Sequence, residues 1–107
     1  MSRTKTNIKI KLEKDYDDFK SFYDENIVLI YKSTVELFSL FKNNRVKKLR
    51  LSVDAKIDGL KWGTDFEYSR TDSIILVRDL LPYFENIEDF ETCIEIRDIY
   101  NDLNKIN

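Results

Sequence analysis

The chain has 107 residues, 36% of them charged, with a formal net charge of −2 and no histidine. That length suits one domain with a core of its own, so a single compact domain over 1–107 is expected. The missing histidine removes the commonest general acid–base, the usual zinc ligand and the Ser–His and Cys–His catalytic pairs.

Cys93 is the single cysteine, so neither an intramolecular disulfide nor a cysteine metal cluster is available. It falls on an apolar helical face and reads as a core thiol. The two glycines, Gly59 and Gly63, lie four apart within the Val46–Ser69 hairpin segment and form no phosphate-binding loop. Carboxylates, lysines and tyrosines remain, and Asp54 and Asp65 share a strand face that reads as solvated. The expectation is a protein that is not an enzyme and holds no cofactor or metal. The first six residues contain no apolar h-region, and no apolar run approaches about 18 residues. A soluble cytoplasmic protein with no membrane contact is therefore expected.

In chain order, Ile8, Ile10 and Leu12 alternate with Asn7, Lys9, Lys11 and Glu13, which predicts a strand over Asn7–Glu13. Asp15 is the expected N-cap of a following helix, with Asp17 and Asp18 in its first turn, where negative charge suits the dipole. Tyr16, Phe19, Tyr23, Ile27, Ile30, Thr34, Phe38 and Phe41 recur at steps of three and four, the mark of one helix face. The helix is expected to run to Lys42, about 40 Å at 1.5 Å per residue. A rival reading makes the apolar run Asn26–Tyr31 a buried strand and Ser33–Glu36 the capping box of a new helix. Asn43-Asn44 is expected to end the element.

The segment Val46–Ser69 organises the rest. Leu49, Leu51, Val53, Ala55 and Ile57 alternate with Arg50, Ser52, Asp54 and Lys56. After Asp58-Gly59, Leu60, Trp62, Thr64, Phe66 and Tyr68 alternate with Lys61, Gly63, Asp65, Glu67 and Ser69. Asp-Gly between two such runs predicts a hairpin, because a type I′ turn needs positive φ at both central residues. A two-residue loop sets the register: Ile57 faces Leu60, Ala55 faces Trp62, Leu51 faces Phe66, and Arg50 faces Glu67. A slip by one residue would turn every apolar side chain into water. Trp62 and the other hairpin aromatics are expected on the buried face.

Thr71 is the expected cap of a helix ending near Leu81, before Pro82. Asn86, with Asp89 three residues on, is the expected cap of a last helix reaching Leu103. The fold class is thus α+β: a three-stranded sheet in the order β–α–β–β–α–α, built on a central Asp-Gly hairpin, with its helices packed on one face. A right-handed crossover places the first strand parallel to the second. Two sheet edges remain open, and a homodimer through one of them is a candidate assembly.

Charge is polarised along the chain. Residues 1–50 carry 12 basic and 7 acidic side chains, and residues 51–107 carry 6 and 13. Glu88, Glu91, Glu95, Asp98 and Asp102 recur at three and four, forming an acidic stripe on the last helix. Such a stripe repels itself by a few tenths of a kcal/mol per pair, so it does not serve to stabilise its own helix. Phe90, Cys93, Ile94 and Tyr100 lie on the other side, with Arg97 near the middle of that apolar side. Lys42, Arg45, Lys47, Lys48 and Arg50 form a basic cluster leading into the hairpin.

These features predict a small protein-binding module of the inhibitor, immunity or regulatory kind. Its acidic stripe would meet a protein partner with a basic surface, as in a phage-type inhibitor of a host defence nuclease. The alternative is a nucleic-acid-contacting accessory protein that uses the basic 42–50 segment, with strong salt dependence.

Overall fold

The computed structural model describes residues 6–43 and 45–105; Asn44 and the N-terminal residues before Thr6, both used in the sequence reading, lie outside them. The elements are β1 (Asn7–Tyr16), α1 (Phe19–Ser39), a 3₁₀ turn (Leu40–Lys42), β2 (Lys48–Ile57), β3 (Leu60–Ser69), α2 (Arg70–Asn86) and α3 (Phe90–Lys105). The sheet order is β1-β2-β3, with β1 parallel and β3 antiparallel to β2. This is the expected α+β fold.

The hairpin register is the one its alternation dictates. Ile57 pairs with Leu60, Ala55 with Trp62, Val53 with Thr64, Leu51 with Phe66, Leu49 with Tyr68 and Arg50 with Glu67. Asp58 and Gly59 both take positive φ, 52° and 76°, as a type I′ turn demands. Opposite the helices the sheet shows charged and small side chains, among them Lys9, Arg50, Asp54, Lys61, Asp65 and Glu67. Lys9 lies 3.7 Å from Asp54, and Arg50 donates to Glu67 at 2.7 Å. That bond raises the Arg50 pKa and lowers that of Glu67.

β1 runs three residues beyond the expected Glu13, because a register break between Lys11 and Asp15 absorbs extra chain and returns Tyr16 to the core side opposite Ile57. Asp15 therefore stays in the strand, where its carboxylate accepts from the Gly59 amide at 3.0 Å. The cap passes to Asp18, which accepts from the Ser21 amide at 2.7 Å; this bond lowers the Asp18 pKa. The helix stops at Ser39, not Lys42, and tightens into the 3₁₀ turn. Asn26 and Thr34 donate to the carbonyls of Phe22 and Ile30 inside the same helix, so the rival strand does not form.

Three boundaries in the C-terminal half differ from the sequence reading. α2 starts two residues early, its cap being Ser69 and not Thr71, with Ser69 accepting from the Asp72 amide at 3.2 Å, and it runs through Pro82 to Asn86 instead of ending near Leu81. Pro82 removes the amide that would serve the Arg78 carbonyl; both residues are exposed, so water can serve it instead. The cap of α3 is Asp89 and not Asn86. Its carboxylate accepts from the Thr92 amide and hydroxyl at 3.2 and 2.9 Å.

The core joins Phe22, Leu37 and Phe38 of α1, Leu49, Leu51 and Val53 of β2, Val77 and Phe84 of α2, and Ile96, Ile99 and Leu103 of α3. Cys93 is buried there as a free thiol. The molecule is a slab of 46 × 38 × 21 Å with a radius of gyration of 15.0 Å. A compact chain of this length would have about 13 Å. The helical layer does not cover the whole sheet, and β3 is the strand left short of cover.

Trp62 shows the consequence. It packs edge-on against Phe22 at 5.1 Å and Phe19 at 5.5 Å, yet it is only half-buried, because Phe19 is itself exposed. Trp62→Ala is expected to cost about 1.5–3 kcal/mol, below the roughly 3–5 kcal/mol of a fully buried aromatic. Urea denaturation checks this; a loss above that range would mean that the indole is sealed in solution.

Candidate functional site

The acidic stripe is exposed along most of its length. Glu91, Glu95 and Asp98 stand exposed on α3, about a quarter turn round the helix from the buried Thr92, Ile96, Ile99 and Leu103. Asp102, at the far end, is half-buried and lies 3.9 Å from Lys42. Glu88 precedes the helix in the turn that closes α2, with φ of 59°. That turn is a Schellman arrangement: the Glu88 amide reaches the Glu85 carbonyl and the Asp89 amide reaches that of Phe84. Glu88 holds the position helices usually give to glycine, at a steric cost of about 1–2 kcal/mol.

The apolar side of α3 is rolled away from the expected one. Phe90 and Ile94 are 62% and 59% exposed, and they flank the stripe instead of entering the core. Arg97 is exposed as well, with its guanidinium 3.8 Å from Glu85 of α2, so it neither sits in an apolar interior nor pairs inside one. Asp89 anchors this end of the surface. Its hydrogen bonds from Thr92 and the Lys32 ammonium at 3.2 Å hold its carboxyl below the ordinary range and tie α1 to α3.

The basic cluster is less available than its sequence implies. Lys42 is beside Asp102, and Arg50 is engaged by Glu67. Arg45, Lys47 and Lys48 remain exposed on the loop and the first residue of β2. The two oppositely charged candidate sites, far apart in sequence, therefore meet at the Lys42–Asp102 contact. The loop is held by a residue the sequence reading passed over: Arg70 donates to the carbonyls of Phe41, Asn43 and Val46 at 2.6, 2.9 and 3.0 Å. Its guanidinium also lies 5.2 Å from the centre of the Phe41 ring.

A second feature was also unanticipated. A cleft of about 510 Å³ runs between α1, β3 and α2, lined by Phe19, Tyr23, Tyr31, Trp62, Phe66 and Leu76 among others. The α1 face read from the sequence as core-facing, with Phe19, Tyr23, Ile30, Thr34 and Phe38, lines this cleft. Of that face, Thr34 and Phe38 are buried, while Phe19 and Tyr23 are exposed; the neighbouring Phe22, Asn26, Ser33 and Leu37 complete the buried side of the helix. The hairpin aromatics consequently do not all lie buried: Phe66 is 42% exposed. The Tyr23 and Tyr31 hydroxyls pair at 2.9 Å, and that bond, with burial, pushes the Tyr31 pKa up to about 12.

Among the described residues, no group of three or more His, Cys, Asp or Glu is placed to hold a metal ion, and no helix is long and apolar enough to cross a membrane. No family model matches the chain, and no curated protein or solved structure matches it.

Proposed function

We propose that this chain is a small, non-enzymatic protein-binding module of the inhibitor, immunity or regulatory kind, which docks the acidic face of α3 onto a basic surface of its partner. One concrete form is a phage-type inhibitor of a host defence nuclease, with the carboxylates standing where phosphates would lie.

The observation that carries this reading is the company the carboxylates keep. Phe90 and Ile94 lie one turn apart beside Glu91, Glu95 and Asp98, and all five are exposed. A face meant only for water needs no exposed phenylalanine, whereas interfaces combine apolar anchors with charges that steer approach. Glu88 supports the same reading, since a carboxylate is kept at the base of the stripe where glycine would be less strained.

The test is affinity capture from the source cell with and without nuclease, followed by kinetics on the captured partner. Glu91→Lys with Glu95→Lys is expected to leave thermal stability nearly unchanged and to slow association about tenfold or more at low salt. Phe90→Ala is expected to speed dissociation. A double variant that associates as fast as the wild type places the interface elsewhere. A partner lost on nuclease treatment would favour the alternative, nucleic-acid contact through Arg45, Lys47 and Lys48.

A further inference from the structure

The two sheet edges are not equivalent. The pairing of β1 with β2 is broken between Lys11 and Asp15, a device that blunts an edge. β3 is regular for all ten residues, has no proline, and pairs with β2 without a shift. Its other edge is bonded to no strand of the sheet.

The backbone phase of that edge follows from one bond. The Arg50 amide donates to Thr6, on the β1 side of β2. Even-numbered residues of β2 thus point toward β1 and odd-numbered ones toward β3. Leu49, Leu51, Val53, Ala55 and Ile57 therefore spend their amides and carbonyls on Tyr68, Phe66, Thr64, Trp62 and Leu60. The amides and carbonyls of Lys61, Gly63, Asp65 and Glu67 point outward from the sheet. Any new antiparallel strand must bond to these residues.

A second copy of β3 meets that requirement only when odd residues face odd residues. Two such registers overlap almost the full strand. Centred on Asp65, the pairing sets two Asp65 carboxylates directly opposite, which is repulsive. Centred on Thr64, it sets Lys61 opposite the partner's Glu67, Trp62 opposite the partner's Phe66 and Leu60 opposite the partner's Tyr68. The charges of this edge are thus complementary to themselves, whereas an edge defended by like charges would repel its own copy.

We propose that two copies of this chain pair through β3, antiparallel about a two-fold axis at Thr64, to make one six-stranded sheet with all helices on the same side. Roughly eight backbone hydrogen bonds close the junction. Leu60 and Phe66, 71% and 42% exposed in the single chain, lose water to the partner, and the aromatic clefts face each other across the new strand pair.

Sedimentation and cross-linking test this together. The wild type is expected to sediment as a dimer at micromolar concentration. Lys61→Glu places like charges opposite one another twice in the dimer, yet within the chain it faces Lys56 favourably. It is expected to weaken dimerisation at least tenfold with an unchanged circular-dichroism spectrum. Glu67→Lys also gives up the ion pair with Arg50 of its own chain, so its circular-dichroism spectrum and melting temperature are checked first; it is expected to weaken dimerisation likewise, and a one-to-one mixture of the two variants to recover a dimer, since each then meets its opposite charge across the junction. In the proposed register the two Thr64 Cα atoms lie about 4.5 Å apart, within disulfide range. Thr64→Cys is expected to cross-link under mild oxidation, while Asp65→Cys is not; Cys93 is buried and does not compete. A monomeric wild type, a dimer indifferent to Lys61→Glu, or cross-linking at position 65 instead of 64 would each overturn the proposal. The α3 interface stands apart from it: the monomeric Lys61→Glu protein should still bind the captured partner, and failure at α3 would leave the dimer intact.

Discussion

Phe38→Ala is expected to cost about 3–5 kcal/mol, the range for truncating a fully buried aromatic. Phe38 has no exposed surface, and its ring meets that of Tyr68 edge-on at 4.9 Å and 87°. It is where α1 packs on both the hairpin and the floor of the aromatic cleft. The loss combines the apolar area returned to water with a cavity that a rigid strand pair cannot collapse into. For a domain of this size each kcal/mol lowers the melting temperature by about 4–8 °C, so a fall of roughly 12–40 °C is expected. Stability must be compared at one protein concentration, because a dimer couples folding to association. A loss below about 1 kcal/mol would mean that Phe38 does not pack as described.

Arg70→Ala is expected to cost about 2–4 kcal/mol, since charge-assisted hydrogen bonds are the stronger ones and here one group makes several. The carbonyls of Phe41 and Val46 are part-buried and would lose a donor that water replaces only incompletely. The planar guanidinium spans three acceptors on one loop, which a single ammonium cannot reproduce. Arg70→Lys is accordingly expected to recover less than half of the loss. Hydrogen exchange distinguishes the mechanism: protection should fall first at the amides of Asn43 and Val46, which close the loop at 3.2 and 3.1 Å. Uniform destabilisation with no local loss of protection would argue that Arg70 acts through its stacking on Phe41.

Much of the sheet was legible because strands announce themselves locally. The hairpin's alternation, its Asp-Gly turn and its two-residue loop together allow one register. The parallel placement of β1 followed from crossover handedness. Helix boundaries were less legible, since several residues in each cap region can accept the first amides, and the choice depends on where the preceding strand ends. Asp15 and Asp18 are equal candidates by type, and the break in β1 decided between them.

The acidic spacing on α3 was read from sequence, but its apolar companions were not. Phe90, Cys93, Ile94, Ile96, Ile99, Tyr100 and Leu103 spread over more than about half the circumference of the helix, too wide an arc to set its roll. Packing buried Ile96, Ile99 and Leu103 and left Phe90 and Ile94 in water.

Side-chain alternation and short-range turn chemistry made the fold class, the hairpin register and the charged residues of each surface legible in the chain, whereas the register break of β1 was not. Which apolar faces are covered, where the cleft opens, which charges are already paired and which edge is free emerge from the folded arrangement. Those properties belong to contacts between distant segments: Arg70 lies 24–29 residues from the carbonyls it holds. A periodic pattern shows that a face is apolar; the fit of neighbouring elements decides whether it meets core or solvent.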